Sequence, residues 1–328
     1  MAHGKEVVFV DGVRTPFGRA GEKGQYWGTR ADDLIVKAMI GLLERNPNVP
    51  QERIDDVAIA ATTQQGDQGL TLGRTAAILA GLPITVPGYA LDRMCAGAMT
   101  TVTTVAGAIA FGAYDLAIAG GVEHMGRHPM GLDADPNPRF LSEKLVSPDA
   151  LNMGITAERL HDRFPSLTKE RSDRFGMASQ KKVAAAYDAG KIQPDLIPVA
   201  IKTAEGWGLA TKDEGLRPET TMEGLAGLKT PFRPHGRVTA GNASPLTDGA
   251  TVSLIASADA AAEFNLPVKM KLVSFGFAGV EPEVMGIGPI PSTEKALRKA
   301  GLTIDDIGLF ELNEAFAVQV LSFLDHFG

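Results

Sequence analysis

Short apolar runs alternate with longer amphipathic stretches over the first 121 residues. Val7–Val10 and residues 56–61 are short runs of apolar side chains, which are typical of buried strands. Residues 31–45 carry apolar side chains at helical spacing, at Leu34, Ile35, Ala38, Met39 and Leu42. A second helix is predicted over 72–80 and a further strand over 116–121. This alternation predicts a layered α/β domain with a largely parallel sheet.

The least polar stretch follows residue 94. Residues 96–114 carry no charge, and a short run from Ile84 to Met94 leads into them. We therefore predict a strand, a sharp turn and a helix that is apolar on all sides and belongs in the centre of a large protein. Cys95, the only cysteine of the chain, falls at the first turn of this helix, where free N–H groups favour a thiolate. The alternative is a buried structural cysteine, which is the commoner state of a free cysteine.

Residues 122 to about 240 have a different pattern. Prolines and charged residues are frequent, and the predicted helices are shorter and more polar. One of them begins at Thr168, whose side chain is expected to cap it. This segment is predicted to be an inserted subdomain. Strand character returns over 250–256, and residues 271–277 open a second α/β stretch.

The second α/β stretch repeats a pattern of the first. In both, Ile-Asp-Asp follows a helix and precedes an apolar run that we predict to be a buried strand. The two copies begin at Ile54 and Ile304, an offset of 250 residues. This arrangement favours duplication of one α/β unit. The counterpart of Cys95 would then fall past the last residue, so we expect the second half to be incomplete.

Length and composition narrow the class of protein. The 328 residues suffice for two or three domains, and 44% hydrophobic and 22% charged residues are ordinary for a globular protein. The formal net charge of −7 argues against a nucleic-acid-binding protein. A single cysteine and an N-terminus without a secretory pattern lead us to expect a cytoplasmic location. The uncharged stretch after Cys95 is weakly apolar, so we do not expect it to span a membrane.

Two patterns that suggest metal sites fail on their details. His124 and His128 have the spacing of metal ligands on a helix, but Gly126 and Pro129 oppose a helix there and no third ligand is evident. Residues 133–144 begin like a calcium loop but lack its central glycine and final glutamate. We therefore expect no metal.

Several segments together resemble signatures of the thiolase family. They occur in the order of the family: Val13-Arg-Thr-Pro-Phe-Gly, Asp92-Arg-Met-Cys-Ala-Gly-Ala-Met, Ala119-Gly-Gly-Val-Glu-His-Met, Met153-Gly-Ile-Thr-Ala-Glu, Val238-Thr-Ala-Gly-Asn-Ala-Ser with Asp248-Gly-Ala, Met285-Gly-Ile-Gly-Pro-Ile-Pro and Asn313-Glu-Ala-Phe-Ala. The resemblance implies duplicated thiolase-like α/β/α layers with an inserted loop domain. The implied parts are an N-terminal half at 1–121 and 245–268, a CoA-binding loop domain at 122–244 and the start of a C-terminal half at 269–328.

Two features depart from the pattern of the family. Cys95 is followed by Ala-Gly-Ala, where thiolases usually have Ser/Ala-Ser/Ala-Gly, so the glycine comes one place early. The Gly-His-Pro and Cys-x-Gly segments, which give the family an oxyanion-hole histidine and an acid/base cysteine, do not occur in the 328 residues. The expectation is therefore a thiolase truncated at its C-terminus, and the activity of this polypeptide by itself is left open.

The resemblance implies CoA-dependent thiolytic cleavage of 3-ketoacyl-CoA in fatty-acid β-oxidation, through an acyl-Cys95 intermediate. Asn313 would position a water in an oxyanion hole, and a helix cap is its alternative role. Arg217 would contact the nucleotide of CoA and Ser244 the pantetheine. The tunnel would be lined by Met153, Met285, Ala315 and Phe316. Each of these, taken singly, is more often a solvated, turn or core residue.

The resemblance also bears on partners. CoA and acyl-CoA enter as substrates, and no permanently bound cofactor is expected. A homodimer or homotetramer is implied, and a hydroxyacyl-CoA dehydrogenase subunit is compatible with the family.

Two other functions stay open. A biosynthetic acetoacetyl-CoA thiolase is the alternative within the class, although those enzymes usually carry His-Met where this chain has Asn152-Met153. A non-catalytic acyl-CoA-binding protein of thiolase type is the alternative outside it.

Overall fold

A computed structural model describes residues 4–328, which divide into two units. The first unit comprises the chain up to Leu132, Gly190–Gly215 and Leu246–Leu272. The second comprises Asp133–Ala189, Leu216–Pro245 and Val273–Gly328. Each unit is therefore assembled from segments that are distant in the sequence.

The first unit holds the strands and helices that the apolar pattern predicts. Its strands are β1 (Val7–Arg14), β2 (Gly18–Arg19), β3 (Asp56–Ala60), β4 (Gly88–Leu91), β5 (Leu116–His124), β6 (Val199–Thr203), β7 (Gly206–Ala210), β8 (Thr247–Ser257) and β9 (Met270–Lys271). Its helices are α1 (Ala31–Arg45), α2 (Leu72–Leu79), α3 (Gly97–Phe111) and α8 (Ala258–Glu263). The prediction of an α/β unit is confirmed.

The main sheet is mixed, and the prediction of a largely parallel sheet is wrong. Its strand order is β4-β3-β5-β8-β1-β9, with β2 paired to β8. Only the pairs β3–β4 and β3–β5 are parallel, while β8 is antiparallel to both β5 and β1. The chain leaves the sheet after β5 and returns more than a hundred residues later, so the direction of β8 is not constrained by a short crossover helix. The strands β6 and β7 form a separate hairpin.

The two faces of the main sheet carry different side chains. Val57 and Ile59 of β3 join the larger core with α1, whereas Ala58 points into the core with α3. The predicted stripe of α1 is buried throughout and packs on the first face. On the second face, small side chains such as Ala58, Ala117 and Ala119 allow α3 to approach closely, because an alanine extends little above the sheet.

The prediction that α3 is buried on all sides is wrong. Val105 and Ile109 are buried against the sheet, but Met99 and Phe111 are 64% and 88% exposed. An apolar composition does not fix how many neighbours a helix has, and the sheet covers one side only. By length and composition alone, Met94–Phe111 is long and apolar enough to cross a membrane, a property that core helices share.

The second unit is mainly helical. It contains α4 (Arg139–Ser142), α5 (Met153–Arg163), α6 (Lys169–Asp188), α7 (Met222–Ala226), α9 (Pro289–Ala300) and α10 (Ala317–Phe327). The 20-residue α6 contradicts the prediction of short helices here, because its many polar side chains face solvent rather than end the helix. The predicted cap is confirmed, since Thr168 Oγ1 accepts the N–H of Arg171 at 3.2 Å.

Two strands predicted in the second half do not form. Beyond Lys271, residues 272–281 have no strand, and residues 307–314 after the three-residue turn Ile304–Asp306 have none either. A strand requires a hydrogen-bonded neighbour. The N–H of Leu272 still donates to Val7 O at 3.0 Å, but among residues 4–328 no ladder extends over 273–281 or forms over 307–314. The last helix begins at Ala317.

Candidate active site

Cys95 lies in a tight turn between β4 and α3. Met94 precedes it in the left-handed backbone region with φ of 47°, and its N–H donates to Asp92 Oδ1 at 2.6 Å. Met94–Ala96 form a turn of 3₁₀-helix, and α3 continues from Gly97. The predicted strand, turn and helix are confirmed, although Cys95 precedes the α-helix instead of lying in its first turn. Cys95 is exposed to solvent although neighbouring atoms partly desolvate its sulfur, so it is not a fully buried core cysteine.

The early glycine has a packing reason. A Cβ at Gly97 would lie 2.7 Å from Ala60 Cβ, so only glycine allows α3 to begin against the end of β3. Thr101 Oγ1 on α3 donates to Gly120 O on the neighbouring strand β5 at 3.1 Å, and this bond ties α3 to β5. The turn that carries Cys95 is thereby fixed against the carboxyl ends of two parallel strands, the position where sites collect in such sheets.

A cavity of about 270 Å³ opens beside Cys95. It is lined by Phe17, Ala60, Ala61, Thr62, Met94, Cys95, Gly97, Ala98, Gly121, Val122, Glu123, Met125, Thr247, Gly249, Ala250 and Thr251. The lining is mostly apolar, and Glu123 is its single charged side chain. Phe17 lines part of the cavity, and its ring leaves room only for a glycine at 249, since a Cβ there would lie 2.2 Å from the ring.

Glu123 is held in a fixed orientation. Its Oε2 accepts the N–H of Thr62 at 2.9 Å, and its Oε1 accepts a hydrogen from Gln68 Nε2 at 2.8 Å. Gln68 is fully buried, and its Oε1 accepts the N–H of His124 at 2.7 Å. The carboxylate therefore joins the loop after β3 to the end of β5 at the wall of the cavity.

The surroundings of Cys95 disfavour its thiolate. Burial raises the pKa of the Cys95 thiol, and the negative charge of Glu123 raises it further, although the backbone N–H of Cys95 acts in the opposite direction. The direction of this shift is opposite to the stabilisation of a thiolate that was expected at a helix N-terminus. A base has to take the proton before Cys95 can act as a nucleophile.

His124 and Asp248 form a buried pair, with His124 Nδ1 at 3.5 Å from Asp248 Oδ2. His124 Nε2 donates to Tyr26 O at 2.9 Å, while its Nδ1 accepts the N–H of Arg127 at 3.1 Å. Asp248 Oδ1 accepts the N–H of Gly126 at 2.8 Å, and burial raises the pKa of this carboxyl. These contacts make His124 a structural residue of the loop, and among residues 4–328 no cluster of three or more metal-ligating side chains occurs.

The second unit brings Ser244, Ala315 and Phe316 together. The N–H of Ser244 donates to Ala315 O at 2.9 Å, and Ala243 pairs with Phe316 in an antiparallel bridge. The N–H of Ala317 donates to the backbone carbonyl oxygen of Asn242 at 2.9 Å. The predicted pantetheine and tunnel residues at 244, 315 and 316 therefore share one short two-stranded contact.

Met153 and Met285 lie on two packed elements of the same unit. Met153 begins α5, where Asn152 Oδ1 accepts the N–H of Ile155 at 3.2 Å. Met285 belongs to the turn Pro282–Ile287, and the next residue, Gly286, is so close to α5 that a Cβ there would lie 2.8 Å from Leu160.

Arg217 and Asn313 are both exposed. The N–H of Arg217 donates to Gln180 Oε1 on α6 at 2.7 Å. Asn313 does not cap the last helix, because Phe316 occupies the capping position without a side-chain hydrogen bond. The predicted site residues are thus divided between the units: Cys95 is in the first, and Asn313 and the predicted CoA contacts are in the second.

Comparison with known families decides the assignment of the chain. Residues 7–259 match the family model for the thiolase N-terminal domain, and residues 266–328 match that for the thiolase C-terminal domain. The chain belongs to the thiolase family. This confirms the resemblance drawn from the seven sequence segments.

Relatives and solved structures agree with the family. A 3-ketoacyl-CoA thiolase of Idiomarina loihiensis is 43% identical over 322 residues, which cover 98% of this chain and 82% of the relative. A β-ketoadipyl-CoA thiolase of Escherichia coli is 40% identical over 340 residues, covering 99% and 84% of the two chains. The crystal structure of human mitochondrial 3-ketoacyl-CoA thiolase matches with a TM-score of 0.89 at 31% identity and covers 99% of this chain and 84% of that one.

A second solved structure, the Bacillus anthracis acetyl-CoA acetyltransferase, matches with a TM-score of 0.88 at 33% identity. It covers 100% of this chain and 84% of the other. The thiolase fold predicted from the sequence is therefore confirmed.

The sequence did not single out Glu123 and Phe17 as residues of the site. Both stood inside the segments that carry the resemblance, but a lone glutamate after a strand and a phenylalanine after a proline have many structural roles. The available signal for Glu123 was its position at the end of the buried run 116–121, where the carboxyl end of a central strand meets the site.

Proposed function

We propose that this thiolase cleaves 3-ketoacyl-CoA with CoA to give acetyl-CoA and an acyl-CoA shortened by two carbons, as in fatty-acid β-oxidation. The observation that supports this most strongly is the turn of Cys95, the sole cysteine, which opens into an apolar cavity at the ends of two parallel strands. Relatives named 3-ketoacyl-CoA thiolase at 43% and 41% identity point to the same reaction.

The reaction has two halves: Cys95 becomes acylated in the first and is released in the second. In the first, the sulfur of Cys95 bonds to the 3-keto carbon, and the bond between carbons 2 and 3 breaks. The electron pair of that bond leaves on acetyl-CoA as an enolate, which takes up a proton. In the second half, the thiol of CoA attacks the acyl-Cys95 thioester, and Cys95 leaves as the thiolate and recovers a proton.

Residues of the second unit are proposed to bind CoA. Asn313 would hold a water that donates to a developing oxyanion. The side chain of Asn313 is exposed and does not cap the last helix, which is consistent with this role. Arg217 would contact the nucleotide and Ser244 the pantetheine. The tunnel residues would be Met153, Met285, Ala315 and Phe316. We also propose residues 122–244 as the CoA-binding loop domain, with CoA as a substrate and no permanently bound cofactor.

We further propose a cytoplasmic homodimer or homotetramer. The exposed apolar side of α3, with Met99 and Phe111, is consistent with a covered surface in an assembly. A hydroxyacyl-CoA dehydrogenase subunit is the proposed metabolic partner, because it would supply the 3-ketoacyl-CoA that this enzyme consumes.

Loss of the 3-ketoacyl-CoA enolate absorbance on addition of CoA tests the function. Wild-type protein is expected to cleave 3-ketooctanoyl-CoA, and Cys95→Ala is expected to lose at least about a thousandfold in kcat/KM, because no other thiol can form the acyl intermediate. Thr104→Ala, on an exposed position of the same helix, is the control and should retain activity. Equal rates for Cys95→Ala and wild type would refute the role of Cys95.

Two further measurements separate the alternatives. A higher kcat/KM on acetoacetyl-CoA than on 3-ketooctanoyl-CoA would favour the acetyl-CoA acetyltransferase type, to which the Bacillus anthracis structure belongs by name. Saturable binding of CoA, without thiolysis and without an acyl-Cys95 adduct in mass spectrometry, would favour a non-catalytic acyl-CoA-binding protein.

A further inference from the structure

Phe17 and Cys95 line the same cavity. Its volume of about 270 Å³ is below the roughly 300–1,000 Å³ of pockets that take a drug-sized ligand. Phe17 is 37% exposed and belongs to neither hydrophobic core of the first unit, so its ring does not serve to fill a core. A large apolar side chain at this place determines how much space remains beside the sulfur of Cys95.

Two pairings with β8 fix the backbone on either side of Phe17. Before it, the N–H of Thr15 donates to Ala250 O at 2.9 Å, and Thr15 Oγ1 accepts the N–H of Ala250 at 3.0 Å. After it, the short strand β2 pairs with the start of β8 at Thr247 and Asp248. Because Thr247 and Ala250 line the cavity themselves, Phe17 is held at the wall that β8 forms.

A loop of the first unit that follows β7 binds the backbone of Phe17 directly. The N–H of Phe17 donates to Asp213 Oδ1 at 2.6 Å, and its carbonyl oxygen accepts the N–H of Glu214 at 3.0 Å. Glu214 Oε2 also accepts the N–H groups of Arg19 and Gln25, at 2.7 and 3.0 Å. Both backbone polar groups of Phe17 are thus bound, which keeps the residue in one place although it lies between two strands.

The ring of Phe17 has a charged neighbour. The guanidinium carbon of Arg14 lies 4.7 Å from the ring centroid, within the range of a cation–π contact. Arg14 is oriented by Asp213, because its Nη1 and Nη2 donate to the two carboxylate oxygens at 2.7 and 2.9 Å. Asp213 therefore binds both the backbone of Phe17 and the cation that stacks on its ring.

We propose that Phe17 is a specificity-determining residue of this thiolase, whose ring limits the length of the acyl group that fits beside Cys95, and that Asp213 is the positioning residue that holds the ring. The inference rests on the proposed function in that Cys95 carries the acyl group. An acyl chain bonded to the sulfur enters the apolar cavity and meets the restrained ring. A smaller side chain at position 17 lengthens the cavity, so long chains gain and short chains do not.

The ratio of kcat/KM for 3-ketohexadecanoyl-CoA to that for 3-ketooctanoyl-CoA tests the proposal. Phe17→Ala is expected to raise this ratio at least about tenfold over wild type, since a single methylene group in an apolar pocket changes kcat/KM by roughly 10–200-fold. Trp207→Ala removes an aromatic side chain that is 81% exposed on β7 and should leave the ratio unchanged. An unchanged ratio in Phe17→Ala, or an equal rise in Trp207→Ala, would overturn the proposal.

Variants of Asp213 separate positioning from a general structural role. Asp213→Ala should free the ring and raise the same ratio at least about threefold, whereas Asp213→Glu keeps the charge and should stay closer to wild type. The double variant of Phe17→Ala and Asp213→Ala should exceed Phe17→Ala by less than about twofold, because the carboxylate then has no ring to position. If Asp213→Ala lowers kcat/KM equally on both substrates, its positioning role is refuted.

Alkyl methanethiosulfonates of two lengths test the role of Phe17 without thiolysis. Attack by the cysteine sulfur joins the alkylthio group to it as a disulfide and releases methanesulfinate, and mass spectrometry of the peptide that contains Cys95 follows the rate. In wild type the decyl reagent should react more slowly than the butyl reagent, after normalisation to a free thiol. Phe17→Ala should reduce that difference at least about fourfold, the equivalent of one buried methylene group.

The two readouts keep the failures apart. The same dependence on reagent length in wild type and Phe17→Ala would contradict the role of Phe17. A protein in which the length dependence is relieved by Phe17→Ala, but which cleaves neither 3-ketoacyl-CoA, would refute the proposed function and not the role of Phe17.

Discussion

The two Ile-Asp-Asp segments share a sequence pattern and differ in structure. After Ile54, the strand β3 is buried at all five residues and is hydrogen bonded on both sides, to β4 and β5. After Ile304, no strand forms, and Leu309 is 85% exposed. Ile59 and Leu309 occupy the same place in the two copies, 250 residues apart. An apolar run becomes a strand only where neighbouring strands can receive its backbone.

The paired aspartates show the same contrast. In the first copy, Asp55 Oδ2 accepts the N–H groups of Asp115 and Leu116 at 2.6 and 3.0 Å, and Asp56 accepts the hydroxyl of Tyr114 at 2.6 Å. In the second copy, Asp306 folds back and accepts the N–H of its own neighbour Thr303 at 2.8 Å. The same residues thus serve long-range contacts in one copy and a local cap in the other.

The largest expected difference concerns the central apolar residue of each copy. Ile59→Ala should lower the free energy of unfolding by about 2–5 kcal/mol, because it leaves a cavity between the sheet and α1. Leu309→Ala should change it by less than about 0.5 kcal/mol, because the side chain is already in solvent. Urea unfolding of both variants measures the difference. Equal losses would show that Leu309 is buried in the folded protein.

Gly73 in the first unit and Gly308 in the second allow a comparison between a crowded and an open glycine. A Cβ at Gly73 would lie 2.2 Å from Tyr89 O and 2.3 Å from Val57 O, so Gly73→Ala forces α2 away from β3 and β4 and should cost about 1–3 kcal/mol. Gly308 has open space around it, and Gly308→Ala should be neutral or stabilising by up to about 1 kcal/mol. Thermal unfolding checks both, and a neutral Gly73→Ala would refute the close approach of α2.

The smallest effect concerns Tyr114. Loss of its hydrogen bond to Asp56 in Tyr114→Phe should cost about 1 kcal/mol, whereas Thr303→Ala, at an exposed local cap, should cost less. The bond to Asp56 raises the pKa of Tyr114 to about 12, above its ordinary value of 10.0.

That shift has a defined sign in the dependence of stability on pH. The contribution of Tyr114 is fully present below pH 10 and is lost as the pH rises through about 12. Ultraviolet titration of tyrosinate in wild type and Tyr114→Phe should therefore differ by one tyrosine in the fraction that ionises near pH 12, a fraction that also contains Tyr89. A difference that appears near the ordinary tyrosine pKa would contradict the bond to Asp56.

Local pattern predicted local structure well. The stripe of α1 and the cap at Thr168 depend on residues three or four positions apart, and the structure confirms both. The antiparallel direction of β8 and the absence of a strand after Ile304 depend on partners far along the chain. Periodicity contains no information about such partners, so the predictions of a largely parallel sheet and of a buried strand after Ile304 were wrong.

Prediction of the candidate site from the sequence is limited in the same way, by contacts between distant residues. The place of Cys95 in a turn between a strand and a helix was predictable because a short apolar run, a sharp turn and a long uncharged helix coincide in one stretch. The contacts of Glu123 to Thr62 and Gln68 join residues about 60 positions apart, so its orientation had no local signature. The early glycine at 97, seen in the sequence as a departure, is explained only by the distance to Ala60.

The position of β8 in the sheet has a consequence for how the protein is made. This strand lies between β5 and β1, yet the ribosome reaches Thr247 about 120 residues after it has completed β5 at His124. At about 5–20 residues per second, β1 and β5 wait on the order of ten seconds with the edges that will receive β8 open. During translation the nascent chain is therefore a natural client for chaperones that cover exposed strand edges.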